Sequence, residues 1–195
     1  IMTLENIGKK YCTTKWPHGF LSIYEQYFEL VRNGQISLLE IGIAEGNSLR
    51  MWREYFTKAT ITGIDKHIQE TFIDGCDQIQ GDATKGVEGS FDIIIDDGSH
   101  IAQEQLESFE SLLPNLNPGG WYVIEDLFTL YDKTWNPSAK NIIELINSRM
   151  KNILIGGDAI QEVHFYGRND INGILFLRKR YEEFRIQPLS EFQNL

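Results

Sequence analysis

Short runs rich in Ile, Leu and Val alternate along this chain with segments of helical spacing. No other feature restricts the possible fold as much. The first five runs are SLLEIGI (37–43), ATITGID (59–65), DQIQGDA (77–83), FDIIID (91–96) and WYVIED (121–126). Each is too short for an ordinary helix and reads as a strand, the third being the weakest. Strands that alternate with helices imply a parallel sheet covered on both faces, and nearly continuous apolar strands fit that burial. Near the end, EVHFYG (162–167) and ILFLRKR (174–180) flank a loop containing Asn172-Gly173 and read as an antiparallel hairpin. The expectation is an α/β chain with a doubly wound, mostly parallel seven-stranded sheet of Rossmann-like type and a C-terminal antiparallel hairpin.

The helices are placed by apolar spacing. Phe20, Tyr24, Tyr27, Phe28 and Val31 form one stripe, ended by Asn33-Gly34. A second helix starts near Gly46 to Ser48, with Leu49, Trp52 and Phe56 on one face. A third covers 101–113 through Leu106, Phe109, Leu112 and Leu113. Pro118-Gly119-Gly120 reads as a turn. Asn136-Pro137 reads as an N-cap and first helical position, leading to Ile142, Leu145, Ile146 and Met150. Residues 1–19 are mixed and polar. The whole is read as one domain: a cap segment and helix over 1–35, a core over 36–180 and a polar tail over 181–195.

The length, 195 residues, allows one sizeable core. A formal net charge of −10 opposes nucleic-acid binding, and the longest basic run, Arg178-Lys179-Arg180, reads as a solvated strand end. No apolar run approaches the ~20 residues that would span a bilayer. Cys12 and Cys76 make neither a disulfide framework nor a metal quartet, and read as ordinary thiols in a reducing cytoplasm. The composition leaves a homo-oligomer open.

In a doubly wound sheet, ligands bind outside the carboxyl ends of the strands. The polar residues that stop each run are therefore the candidates. They are Glu40, Gly42, Glu45 and Gly46 at the end of the first strand and Asp65 at the end of the second. Asp82 ends the third, Asp96, Asp97 and His100 the fourth, and Glu125 and Asp126 the fifth. Gly42 lets a backbone approach closely, and the next helix, opening at Gly46 to Ser48, offers unpaired N–H groups. The spacing G-x-x-x-G is not that of a dinucleotide site, which disfavours a nicotinamide dehydrogenase. Asp65 lies about 20 residues past the glycines, where an acid bonds ribose hydroxyls. Taken with Asp82, it favours an adenosyl ligand over a mere tight turn.

Asp97, Glu125 and Asp126 crowd three carboxylates together. A hard divalent cation, Mg²⁺ or Mn²⁺, would relieve their repulsion and keep positions open for substrate. Otherwise one of them caps a helix, as Asp97 or Ser99 could for the helix at 101. His100, three residues past Asp97, suits a general base beside a metal-bound hydroxyl. His164 reads as strand packing, and His67 as either an adenine contact or a solvated ring. Tyr131 and Trp135 either stack on a sugar face or pack internally.

LEIGIAEGNSLRMWREYF, ITGID, FDIIIDDGSH and PGGWYVIEDL together resemble the class I S-adenosylmethionine-dependent methyltransferases. The closer resemblance, over roughly residues 9–131, is to the metal-dependent sugar O-methyltransferases of macrolide pathways, the macrocin and mycinamicin type. IDDGSH and IEDL, joined by PGGxYV, carry most of its specificity. The resemblance implies S-adenosylmethionine held by Glu40, Gly42, Gly46, Ser48, Asp65, Asp82 and Asp96. It implies Mg²⁺ (or Mn²⁺) held by Asp97, Glu125 and Asp126, a small-molecule acceptor bearing neighbouring sugar hydroxyls, and His100 as the catalytic base. KYCTTKWPHGFLSIYEQYF (10–28) is similar to that family's lead-in, which makes Lys15, His18 and Tyr24 its counterparts, although Thr14 stands where the pattern has aspartate. Members acting on macrolide sugars carry an extra N-terminal domain, so this sequence reads as a bare catalytic core. The alternative expectation is a non-catalytic S-adenosylmethionine-binding module.

Overall fold

A computed structural model of the chain describes residues 2–69, 72–137, 140–167 and 172–181. The strands are β1 (Ser37–Ile41), β2 (Thr60–Asp65), β3 (Asp77–Gln80), β4 (Phe91–Asp96), β5 (Leu116–Ile124), β6 (Ile160–Gly167) and β7 (Gly173–Lys179). They form one seven-stranded sheet in the order β3-β2-β1-β4-β5-β7-β6. β1 to β5 are parallel, and β7 runs antiparallel to both β5 and β6. The mostly parallel sheet with an antiparallel C-terminal pair is as expected. The strand order reverses between β1 and β4, so the two loops that follow them flank the crevice of a topological switch point.

The helices are α1 (Leu4–Lys10), α2 (Leu21–Phe28), α3 (Asn47–Tyr55), α4 (Ala102–Leu112) and α5 (Ile142–Leu154). Two apolar layers sandwich the sheet. Alternate residues of the central strands enter one layer or the other: Leu38, Ile93 and Ile95 join α1, α2 and α3, whereas Leu39, Ile94 and Tyr122 join α4 and α5. The first layer centres on Tyr24, Phe28, Trp52 and Phe176, whose rings meet mostly edge to face. α2 is thereby fixed onto the sheet, and with it the loop joining α1 to α2.

Several local expectations need correction. Residues 4–10, within the mixed and polar start to which no helix was assigned, form α1, capped by Thr3, whose side chain accepts from the Asn6 N–H. Asn136 does not cap α5. Its side-chain amide instead donates to the Leu130 carbonyl at 2.6 Å, and Asn141 is the cap, accepting from the N–H groups of Ile143 and Glu144. Pro118-Gly119-Gly120 lies within β5, where the pairing with β4 is irregular: Phe91 faces Leu116 and Ile93 faces Trp121. Neither Asp97 nor Ser99 is the N-cap of α4, which is Ile101, with no side-chain cap bond. The Arg178-Lys179-Arg180 run is structural, since these side chains bond Glu162 and the carbonyls of Leu113 and Asp158. The expected tail lies outside the described residues beyond Tyr181.

Candidate active site at the carboxyl edge of the sheet

A cavity of ≈ 630 Å³ opens at the carboxyl ends of β1, β2 and β4. One wall is the β1–α3 loop, from Gly42 to Glu45 with Asn47 and Ser48, and another is Asp65 to His67. Asp82 to Thr84, the segment Asp96 to His100, and Glu104 and Gln105 of α4 complete it, while Cys12 to Thr14 border it from the N-terminal segment.

The loop after β1 is shaped by close approach. Gly42 has φ +91°, and a Cβ there would lie 2.2 Å from the Asp97 carbonyl oxygen. Only glycine lets the β1 and β4 loops meet in this way. Asp65 holds the same loop from the other side. Its Oδ2 accepts from the N–H groups of Ile43 (2.8 Å) and Ala44 (3.3 Å), and its Oδ1 from that of His67 (2.9 Å). Burial pulls the Asp65 pKa upward, but these backbone donors outweigh it and hold the carboxyl below its usual range. Asp82 accepts from the Thr84 hydroxyl (2.8 Å) and backbone N–H (3.1 Å), and its pKa is lowered chiefly by the hydroxyl bond. Asp96 is buried, and burial pushes its carboxyl up to about 7 against the opposing Gly98 N–H.

Gly42, Ser48, Asp65, Asp82 and Asp96 thus share one cavity. Gly46 does not line it; it caps α3 at φ +76°. Glu40 does not line it either. Its buried carboxylate accepts from Ser48 Oγ (2.6 Å) and Trp52 Nε1 (3.2 Å) and lies 3.1 Å from Lys15 Nζ.

At the ends of β4 and β5 the ligating atoms of Asp97, His100 and Asp126 lie within 4.8 Å of one another. His100 (φ +58°) and Asp126 (φ +58°) both take left-handed backbone conformations that are uncommon for such residues. His100 Nδ1 is 3.4 Å from Asp126 Oδ2 but makes no hydrogen bond, and among the described residues this buried atom has no partner. Asp126 Oδ1 accepts from Asn172 Nδ2 at 2.6 Å, and His18 Nδ1 lies 3.8 Å from the same oxygen.

Glu125, the third expected ligand, is not part of this group of atoms, although it shares the Lys15 ammonium with Asp97. Its Oε1 accepts from Lys15 Nζ (2.7 Å) and from the Tyr24 hydroxyl (2.5 Å). Lys15 Nζ also donates to Asp97 Oδ2 at 2.5 Å. Burial alone would lower the Lys15 pKa, yet Asp97, Glu125 and Glu40 outweigh it and hold the ammonium well above the usual lysine range. One ammonium cannot neutralise three carboxylates, and burial and the Asp97 charge push Glu125 upward.

The donor chemistry fits a divalent ion. Two carboxylates converge from strand ends, and beside them stands a buried imidazole nitrogen that nothing among the described residues satisfies. The cavity fits an adenosyl ligand, with backbone N–H groups at the start of α3 and an acid at the end of β2.

Sequence reasoning alone missed Asn172, read only as part of a turn, and Gln105, whose amide donates to the Glu125 carbonyl. Lys15 and Tyr24 were picked out only through the family's lead-in. His164 is packed as expected, its Nδ1 2.5 Å from the Tyr27 hydroxyl. His67 lines the cavity.

Residues 39–127 match a methyltransferase domain family. Demethylmacrocin O-methyltransferase of Streptomyces fradiae is 40% identical over 146 residues, 66% of this chain and 37% of that protein. Mycinamicin VI 2''-O-methyltransferase of Micromonospora griseorubida is 38% identical over 149 residues, with the same shares. The chain therefore spans little more than a third of the length of these curated relatives. Among solved structures, the MycE methyltransferase from the mycinamycin biosynthetic pathway, in complex with Mg, SAH and mycinamycin VI, superposes with a TM-score of 0.80 at 30% identity. That match covers 96% of this chain and 57% of the other.

Proposed function

We propose, from the premise that this chain carries a class I methyltransferase domain resembling the macrocin- and mycinamicin-type sugar O-methyltransferases, that it methylates a hydroxyl of a sugar-bearing small molecule. S-adenosylmethionine is the methyl donor and a divalent cation, Mg²⁺ or Mn²⁺, assists. The observation that carries this reading is the meeting of Asp97, His100 and Asp126 beside a cavity bounded by the Gly42 loop and Asp65.

When bound, the donor supplies an already reactive sulfonium methyl, and the cation supplies positive charge that lowers the pKa of an acceptor hydroxyl. The protein provides orientation and proton handling. Asp65 and the β1–α3 loop hold the adenosyl portion, and Asp82 and Asp96 complete the walls of the cavity. Asp97 and Asp126 would hold the ion from neighbouring strand ends. The imidazole of His100 takes the hydroxyl proton, because carboxylates suit a hard cation better than imidazole does. The N-terminal segment borders the cavity at Cys12 to Thr14.

The acceptor is a small molecule rather than a nucleic acid, given the net charge of −10. No helix among the described residues is long and apolar enough to cross a membrane. Two free thiols, Cys12 and Cys76, fit a cytoplasmic setting. The test is methyl transfer from isotopically labelled S-adenosylmethionine to a panel of glycosylated acceptors, with Mg²⁺ and with chelator. Label transfer that requires the metal supports the proposal. Donor binding without transfer across the whole panel would favour a non-catalytic binding module instead.

A further inference from the structure

Lys15 and Glu40 are both fully enclosed charges in the site. The Lys15 side chain has no exposure, and its Nζ contacts Asp97 (2.5 Å), Glu125 (2.7 Å) and Glu40 (3.1 Å). These acids belong to three different elements: Glu40 to β1, Asp97 to the loop after β4, and Glu125 to the end of β5. Lys15 itself comes from the loop between α1 and α2. Its backbone is fixed there by a bond to Thr13 Oγ1 (3.4 Å) and by its carbonyl accepting from the Phe20 N–H (3.1 Å). Phe20 and Tyr24, just beyond it, are buried in the aromatic layer. The ammonium is thus delivered to the acids by a rigid support.

Carboxylates meeting from three elements, with Glu40 and Glu125 buried, would repel one another and reorient without a cation among them. We infer that Lys15 is a positioning residue of the divalent-ion site: a tethered cation that keeps Asp97 and Glu125 assembled before the ion arrives. This rests on the metal-dependent reading above. It has a distinctive consequence. The ammonium and the divalent ion share the Asp97 carboxylate, so each does part of the other's work there, and each opposes the other by like-charge repulsion. Removing the lysine charge should make the order of the cluster depend on the ion and let the ion bind more tightly. A lysine that merely filled space would show neither effect.

The experiment compares wild type, Lys15→Met and Lys15→Gln by thermal unfolding in chelator and in saturating MgCl₂, and by Mg²⁺ titration calorimetry without methyl donor. In both variants Mg²⁺ affinity should rise about tenfold or more. The gain in Tm from chelator to Mg²⁺ should exceed the wild-type gain by about 3–5 °C. A variant that is unfolded in chelator and folded in Mg²⁺ supports the inference in its strongest form. Variants that lose the same Tm in both conditions, that stay unfolded at every Mg²⁺ concentration, or that bind Mg²⁺ no better than wild type would overturn it. Absence of Mg²⁺ binding to wild type and variants alike would overturn the metal-dependent reading as well, which separates the two failures.

Discussion

Asn172 Nδ2 donates a 2.6 Å hydrogen bond to Asp126 Oδ1, joining the start of β7 to the end of β5 across 46 residues of chain. Both residues are buried. With Oδ1 engaged, Asp126 presents Oδ2 toward His100, 3.4 Å away. The antiparallel strand that distinguishes this sheet from a purely parallel one therefore orients an acid of the candidate metal group. Outer partners of this kind commonly affect metal affinity by 10–100-fold. Asn172→Ala is expected to weaken Mg²⁺ binding by roughly that factor in titration calorimetry. An unchanged affinity would mean that the bond serves only the loop.

His100 is assigned to proton removal rather than to holding the ion. His100→Ala should lower turnover by about 10²–10⁴-fold. Its Mg²⁺ affinity, measured separately, should stay within a few-fold of wild type. A collapse of metal binding in the variant would instead make the imidazole a ligand, and its buried Nδ1 would be the coordinating atom.

Asp65 supports the β1–α3 loop through the N–H groups of Ile43 and Ala44, accepts a third from His67, and faces the cavity. Asp65→Ala should weaken S-adenosylhomocysteine binding by roughly 10–100-fold, the scale of losing hydrogen bonds to a charged group. Mg²⁺ affinity should be unaffected, since Asp65 is not part of the metal group. Equal cofactor affinity in the two proteins would misplace the adenosyl portion.

Gly42 is a stability determinant as well as part of the cavity wall. An alanine there would combine a positive φ with a Cβ 2.2 Å from the Asp97 carbonyl. Gly42→Ala is expected to cost about 2–3 kcal/mol, read as a Tm lower by roughly 5–10 °C. A Tm within 1–2 °C of wild type, on the order of the effect of an ordinary surface change, would show that the two loops separate readily.

The parallel strands were legible because burial on both faces makes them nearly continuous apolar runs, and each run stops where the chain meets the ligand edge. The acids at those stops follow from the same rule. Asp65, Asp82, Asp96 and Asp97 line the cavity together, as strand-end position suggests. Glu40 and Glu125 also stand at strand ends, yet they point into protein, because a strand end fixes location but not the direction of a side chain. Their partner Lys15 lies 110 residues from Glu125, and nothing in local periodicity encodes that contact. Apart from the family's lead-in, Tyr24 was visible as one member of an apolar stripe, since its ring packs with the core while its hydroxyl reaches Glu125. The cap of α5 was misplaced because Asn136-Pro137 and Asn141 offer competing local signals. A tertiary hydrogen bond from Asn136 to Leu130 decides between them.

The central claim is that a methyl donor and a divalent ion occupy adjacent positions at this edge of the sheet. Anomalous diffraction from crystals grown with S-adenosylhomocysteine and MnCl₂ tests it most directly. The account predicts one strong Mn²⁺ peak within about 2.0–2.6 Å of carboxylate oxygens of Asp97 and Asp126, with the nucleoside against Asp65. A peak distant from both aspartates, or a nucleoside bound away from the Gly42 loop, would contradict it.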